Sequence, residues 1–305
     1  MGSVLLKAFS LVLIIILGYT LKRIKLFKKD DYRVVSRIVM NLTLPGALIT
    51  GFENFDMDKS LFVIVLIGLG CSVIMSGVGL LAALRKDKDE KAFNMINLAG
   101  YNVGCFTLPF IQSFLGSVGV GVSSLFDIGN SIMCTGGTYA LASLVKNDGK
   151  NKPSLASFTK KIFSSVPFVT YLVMFIITIL NIKLPSFVFK ITSTLGSGNA
   201  FLSMLMIGLV FECNLRKEQM VQVGKIVILR YGFAAIFALT AFFLLPFEVE
   251  VRRVVVILLF GPLPSLAPIF TGESGCDEGL AGVVNSVCIP ISTIIIIGLL
   301  SYWGI

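Results

Sequence analysis

Asp127 in the run LFDIGNS is a carboxylate set among apolar residues, with Asn130 and Ser131 following it. On a helix Asp127 and Asn130 share a face at i and i+3. Such a group can coordinate a substrate or a cation, carry a proton on Asp127, or bond two helices together. Asn285 and Ser286 in VNSVC, Asn41 in NLTLPGALITGFE and Asn199 in NAFLSMLMIGLVFE pose the same choice, because buried amides also join membrane helices. Asn102 stands in AGYNVGCFTLP beside Gly104 and ahead of Pro109, and Ser265 stands in GPLPSLAP between Pro264 and Pro268. A polar side chain costs free energy inside hydrocarbon, so each of these residues is a candidate site member. Arg230 lies near the cytoplasmic end of its apolar run and is expected to snorkel to the interface, with a countercharge to a substrate as the alternative. The chain has no histidine, which excludes an imidazole relay and a Ser-His-Asp triad.

These residues sit in a sequence that is 55% hydrophobic and 14% charged, with a mean hydropathy of +0.91. That balance excludes a water-soluble globular fold. A membrane helix needs about 20 apolar residues to cross about 30 Å of hydrocarbon. Ten such runs are read at 3–21, 34–52, 61–84, 92–116, 119–145, 162–181, 192–212, 225–247, 252–271 and 278–302. The first lacks a small-x-small cleavage site and reads as a retained span, and the start MGSVLL lacks the hydroxyl that myristoylation needs. Six cysteines, Cys71, Cys105, Cys134, Cys213, Cys276 and Cys288, form no C-x-x-C pair and read as apolar filler without a metal. A net charge of +9 would suggest nucleic acid in a soluble protein; in this one the basic residues crowd into alternate short loops and report topology instead.

Eighteen Lys and Arg fall in one set of loops: Lys22, Arg23, Lys25, Lys28, Lys29, Arg33, Arg85, Lys86, Lys88, Lys91, Lys146, Lys150, Lys152, Lys160, Lys161, Arg216, Lys217 and Lys225. The opposite set has six: Lys7, Lys59, Lys183, Lys190, Arg252 and Arg253. This bias puts the richer loops in the cytoplasm and both termini outside the cell membrane. Dividing the chain into residues 1–148, a cytoplasmic linker 149–161 and residues 162–305 gives two halves of five spans in opposite orientations, the inverted-repeat plan of many carriers. Asn41 and Asn199 occupy equivalent places in the halves, each followed by an acid, Glu53 and Glu212. GNSIMC at 129–134 and VNSVC at 284–288 are a second matching pair. Glu273, Asp277 and Glu278 read as a solvated entrance, and Tyr302 and Trp303 as interfacial anchors.

Equivalent fourth and ninth runs carry the helix breakers. Glycine lowers the resistance to unwinding, and proline removes a donor and clashes with the preceding turn. Unwound backbone is tolerated in a membrane only when buried in protein or lining a cavity. Paired breaks therefore point to a binding site, with half-helix N-termini facing an anion. A plain proline kink is the alternative.

NLTLPGALITGF, NVGCFTLPFIQSFLG and LPSLAPIFTGESG together resemble the auxin efflux carrier family of membrane transporters over essentially the whole length. The resemblance implies an all-α integral membrane protein of ten transmembrane helices, a five-plus-five inverted repeat with broken, crossing helices 4 and 9, as in the bile-acid symporter fold. It also implies a scaffold of helices 1, 2, 6 and 7, a transport domain of helices 3–5 and 8–10 moving like an elevator, and a homodimer. Plant members export auxin and microbial members are linked to carboxylates such as malate or malonate. By position, Asn102 with Pro109, and Pro264 with Ser265, would form the crossing. The short connection at 146–161 differs from the long mid-chain loop of plant members, and Tyr101 stands where proline is common. The expected function is a secondary carrier of a small organic anion, with no cofactor and with a proton or sodium open as coupling ion. The rivals are an anion channel and a sodium-coupled carboxylate symporter, and saturable flux with trans-stimulation distinguishes carrier from channel.

Overall fold

The computed structural model describes all residues except 1, 29, 54, 56–58, 147–154 and 213–216; no strand occurs among the described residues. Lys29, Lys150, Lys152 and Arg216 of the charge pattern, Cys213, and the first part of the 149–161 linker lie outside them. The helices are α1 (Gly2–Arg23), α2 (Tyr32–Ile38), α3 (Leu44–Gly51), α4 (Val63–Ala82), α5 (Lys88–Leu98), α6 (Leu108–Ile132) and α7 (Thr138–Lys146). They continue with α8 (Leu155–Phe163), α9 (Val166–Ile179), α10 (Ser186–Ser197), α11 (Asn199–Val210), α12 (Met220–Leu244), α13 (Val249–Leu259), α14 (Ala267–Glu273) and α15 (Glu278–Trp303). Wide π-helical turns at Val39–Thr43, Val103–Thr107 and Met133–Gly137 join α2 to α3, lead into α6, and join α6 to α7.

Among the described residues six helical segments are long and apolar enough to cross a membrane: Tyr32–Gly51, Ser60–Ala82, Lys88–Lys146, Ser186–Val210, Lys217–Leu244 and Glu278–Trp303. The outward faces agree: Ile228, Leu239 and Phe243 of α12 and Ile294 of α15 are exposed, an arrangement suited to lipid and unsuited to water. The chain is a multi-pass membrane protein. Its 59-residue segment Lys88–Lys146 is not one straight rod. It opens at residues 99–102, and α6 turns sharply at Gly116, whose φ of 53° suits a residue without Cβ.

Lipid supplies no hydrophobic drive between helices, so close backbone approach does that work. α1 packs on α11, α3 on α10 and α4 on α6, each through facing glycines. A Cβ on Gly46 would stand 2.9 Å from the backbone nitrogen of Gly196, and one on Gly196 would stand 2.6 Å from the nitrogen of Ala47. Gly18 with Gly208, and Gly68 with Gly129, are seated the same way against the opposite backbone.

Part of the expected linker is helical, because Phe158 and Ile162 recur at helical spacing and give α8 an inward face, with Ile162 buried and Lys160 exposed. Phe158 lies against Gly136 and Lys161 Nζ pairs with Glu273 at 3.1 Å. At this same end Lys146 Nζ meets Asp89 at 2.6 Å and Lys225 meets Glu90 at 3.6 Å. Glu273, Asp277 and Glu278 are exposed, as a solvated stretch should be, and two of them also have partners: Glu273 pairs with Lys161 of α8, and Asp277 caps α15 by accepting from the Leu280 N–H at 2.9 Å.

Candidate functional site

Both proline- and glycine-rich runs are unwound, not merely kinked. α5 ends at Leu98, Ala99 is extended, and Gly100 has a φ of 77°. A Cβ on Gly100 would also press on Cys134 Sγ at 2.5 Å and on the Pro264 ring at 2.8 Å, so only glycine fits. Pro109 falls in the first turn of α6, directly after the π-helical turn Val103–Thr107 that leads into it. In the second run α13 ends at Leu259, residues 261–264 are not helical, and Pro268 falls in the first turn of α14. Pro268 thus starts the second half-helix of its run, whereas in the first run the helix already begins with the turn at Val103, and Pro264 belongs to the extended stretch.

The two breaks meet. The Asn102 backbone N–H donates to the Pro262 carbonyl at 2.9 Å, and Asn102 Nδ2 donates to Ser265 Oγ at 3.0 Å. Asn97 on α5 donates to Thr271 Oγ1 on α14 at 3.0 Å, a second tie between the runs. Asn102 is buried, whereas Ser265 is exposed, so the accessible side of the crossing is the Ser265 side. Gly104 lies within the π-helical turn, where a Cβ would stand 2.7 Å from Leu44.

Arg230 is where the sequence reading needs correction. It was expected to snorkel, yet it is 1% exposed and its guanidinium joins both breaks. Nη1 donates to the Leu98 carbonyl at 2.9 Å, and Nη2 to those of Gly100 at 2.7 Å, Gly261 at 2.8 Å and Pro262 at 3.0 Å. The guanidinium also lies 5.3 Å from the Tyr101 ring centroid. A helix ending in mid-membrane leaves carbonyls that must find donors, and this side chain supplies them from α12.

Behind the crossing, Asn130 braces the first break. Its Oδ1 accepts from the Tyr101 N–H at 3.0 Å, and its Nδ2 donates to the Tyr101 carbonyl at 2.8 Å and to Asp127 Oδ1 at 2.7 Å. Ser72 Oγ donates to the same Oδ1 at 3.1 Å. Asp127, Asn130 and Ser131 are all buried. Tyr171 of α9 brings its buried hydroxyl near the Asp127 carboxylate.

The remaining predicted site residues lie apart from these bonds. Ser286 Oγ accepts from the Glu212 N–H at 2.9 Å and so ties α15 to the end of α11; its neighbour Asn285 is buried with an unpartnered Oδ1. Asn41 is exposed and turns back to donate to the Arg37 carbonyl at 2.8 Å, so it is not brought to the crossing. Its counterpart Asn199 is fully buried and accepts from Thr43 Oγ1 at 3.3 Å. A cleft of about 690 Å³ is lined by Phe52, Glu53, Thr178, Asn181 and Lys183 and by Met174, which stands one turn from Tyr171 on α9. Tyr171, Asn97 and Thr271 are the residues the sequence reading missed, and Arg230 the one it misplaced. Only Arg230 carried a signal, a charge within an apolar run.

The profile of a family described as membrane transport protein matches residues 3–300. An uncharacterized transporter of Methanothermobacter thermautotrophicus (strain Delta H) is 24% identical over 300 residues, which cover 97% of this chain and 96% of that protein. Matched along nearly its full length, and carrying in two broken helices the motifs on which the resemblance rests, the chain belongs to the auxin efflux carrier family of membrane transporters.

Proposed function

We propose that this transporter is a secondary carrier that moves a small organic anion, such as a mono- or dicarboxylate, across the cell membrane, with the anion held at the crossing by Asn102, Ser265 and backbone N–H groups. The observation that carries this reading is the electrostatic division of the crossing. The carbonyl ends of α5 and α13 are occupied by the Arg230 guanidinium, and the exposed Ser265 hydroxyl lies beside the start of the helical stretch that follows Asn102. Helix N-termini favour negative charge, and a fixed guanidinium nearby adds to that preference. Gly104, Pro109, Pro264 and Pro268 shape the two half-helices, and Asn130 and Ser131 support them. Asn285 and Ser286 are the corresponding pair of the second half.

Ten spans in a five-plus-five inverted repeat can be laid onto the fifteen helices when α1, α4, α12 and α15 are one span each, and α2 with α3, α5 with the first arm of α6, its second arm with α7, α8 with α9, α10 with α11, and α13 with α14 make one each. A scaffold of the first, second, sixth and seventh spans against a moving domain of the other six, a homodimer, and both termini outside complete the reading. The glycine-sealed packing of α1 on α11 and α3 on α10 suits a rigid scaffold.

The test is the current on a solid-supported membrane when malate, malonate or an aromatic weak acid is added to reconstituted protein, with labelled-solute counterflow alongside. Saturating current or counterflow with one of these anions, lost in Asn102→Ala, is the expected result. Silence in both assays with all three anions, from folded protein, would sink the organic-anion reading.

A further inference from the structure

In carriers built from discontinuous helices, the unwound carbonyls and C-terminal ends of half-helices are where a coupling cation is coordinated. This protein has such a cluster: the carbonyls of Leu98 and Gly100 from one break, and of Gly261 and Pro262 from the other. Three of these oxygens, those of Gly100, Gly261 and Pro262, surround Nη2 of Arg230, and that of Leu98 meets Nη1. The cluster is thus filled by the guanidinium, reaching in from α12 through a buried stem with the Tyr101 ring against it. No carboxylate lies within ion-pair distance of Arg230 among the described residues, and its Nε has no partner. Asp127 is separated from it by Asn130 and the Tyr101 backbone. A fully buried guanidinium that meets only neutral oxygens is a charge the fold retains without an internal counter-ion, and such charges are costly unless they are used.

We infer that Arg230 is the resident cation of this carrier: its guanidinium fills the carbonyl cluster that a sodium ion would otherwise occupy, so the anion is moved without sodium and the positive charge travels with the protein. Arg230 is a positioning residue in this scheme, since it holds the two breaks in register and contacts no substrate. Loaded with a monoanion, the crossing is neutral overall; empty, it keeps its positive charge. The transport half of this inference rests on the carrier reading, while the occupancy of the cluster does not.

Two measurements separate them. The first is thermal unfolding of the purified protein in sodium chloride, choline chloride and methylguanidinium chloride, for wild type, Arg230→Lys and Arg230→Ala. Wild type and Arg230→Lys are expected to unfold at the same temperature in sodium as in choline. Arg230→Ala is expected to unfold at lower temperature and to regain roughly 3 °C or more in methylguanidinium or sodium over choline, as a cation enters the vacated cluster. The second is malonate current: indifferent to sodium in wild type, reduced at least about tenfold in Arg230→Ala, a loss of about one RT ln 10 of stabilisation, and partly restored by methylguanidinium. A wild type whose unfolding temperature or current rises with sodium overturns the inference, whether or not Arg230→Ala can be purified. So does an Arg230→Ala protein that neither cation stabilises. If the unfolding results are as expected and no anion is transported, the resident cation stands and the carrier reading falls.

Discussion

Asn130 holds together more of the site than its position suggests, because one amide satisfies both backbone groups of Tyr101 and also meets Asp127. Tyr101 N–H and C=O lie in an unwound stretch and have no helical partner to return to, so the side chain stands in for a missing turn of helix. This places Asp127 one bond from the break, where a change in its protonation would be felt by the Tyr101 backbone. If Asp127 carries the coupling proton, Asp127→Asn should flatten the pH dependence of the malonate current while leaving a measurable current. An unchanged pH profile would remove Asp127 from the mechanism. Asp127, Asn130 and Ser131 were legible in the sequence because polar groups in an apolar run demand a reason. Arg230 was misread, since a terminal-looking arginine ordinarily finds water. Two of its acceptors lie 130 and 132 residues away, and nothing in local sequence encodes that distance.

At the scale of elements, glycine content that looks generic in the sequence is divided between packing and open positions. A Cβ on Gly68 of α4 would fall onto the Phe126 carbonyl of α6, whereas one on Gly70, two residues on, would meet nothing within 4 Å. Gly68→Ala should therefore destabilise by about 1–3 kcal/mol through overpacking, while Gly70→Ala should be neutral or stabilising by about 0.5–1 kcal/mol through helix propensity. Unfolding by SDS titration compares them, and equal midpoints would contradict the packing of α4 on α6. The breaks themselves were readable from Gly100, Pro109, Pro264 and Pro268, because their chemistry acts locally. The π-helical turn after Asn102, the turn of α6 at Gly116 and the helical α8 were not readable. Each is set by what the chain packs against: Phe158 of α8, for example, needs Gly136 beneath it.

For the whole molecule, the asymmetry of basic loops predicts which surfaces face the cytoplasm. Lys88→Cys and Lys183→Cys both place a thiol at an exposed position. A membrane-impermeant maleimide should label Lys183→Cys in intact cells and Lys88→Cys only after permeabilisation; the reverse pattern would invert the topology. Native Cys276 should interfere little, since burial raises its thiol above the ordinary range and keeps it protonated and slow to react. The membrane class and the family motifs were legible along the whole chain, because hydropathy and charge act in one dimension; which helices touch was not. The reach of Arg230 also has a consequence for biosynthesis. When α12 leaves the ribosome, Leu98 and Gly100 already exist, but Gly261 and Pro262 lie 31 and 32 residues further on. A helix with arginine in its middle enters the bilayer against a penalty of about 2.5–3.5 kcal/mol. The nascent protein must therefore shelter that charge until the second break has followed it into the membrane. Neither half can finish maturing alone, and a chain cut short before residue 261 would present a half-quenched charge to the membrane's quality-control proteases.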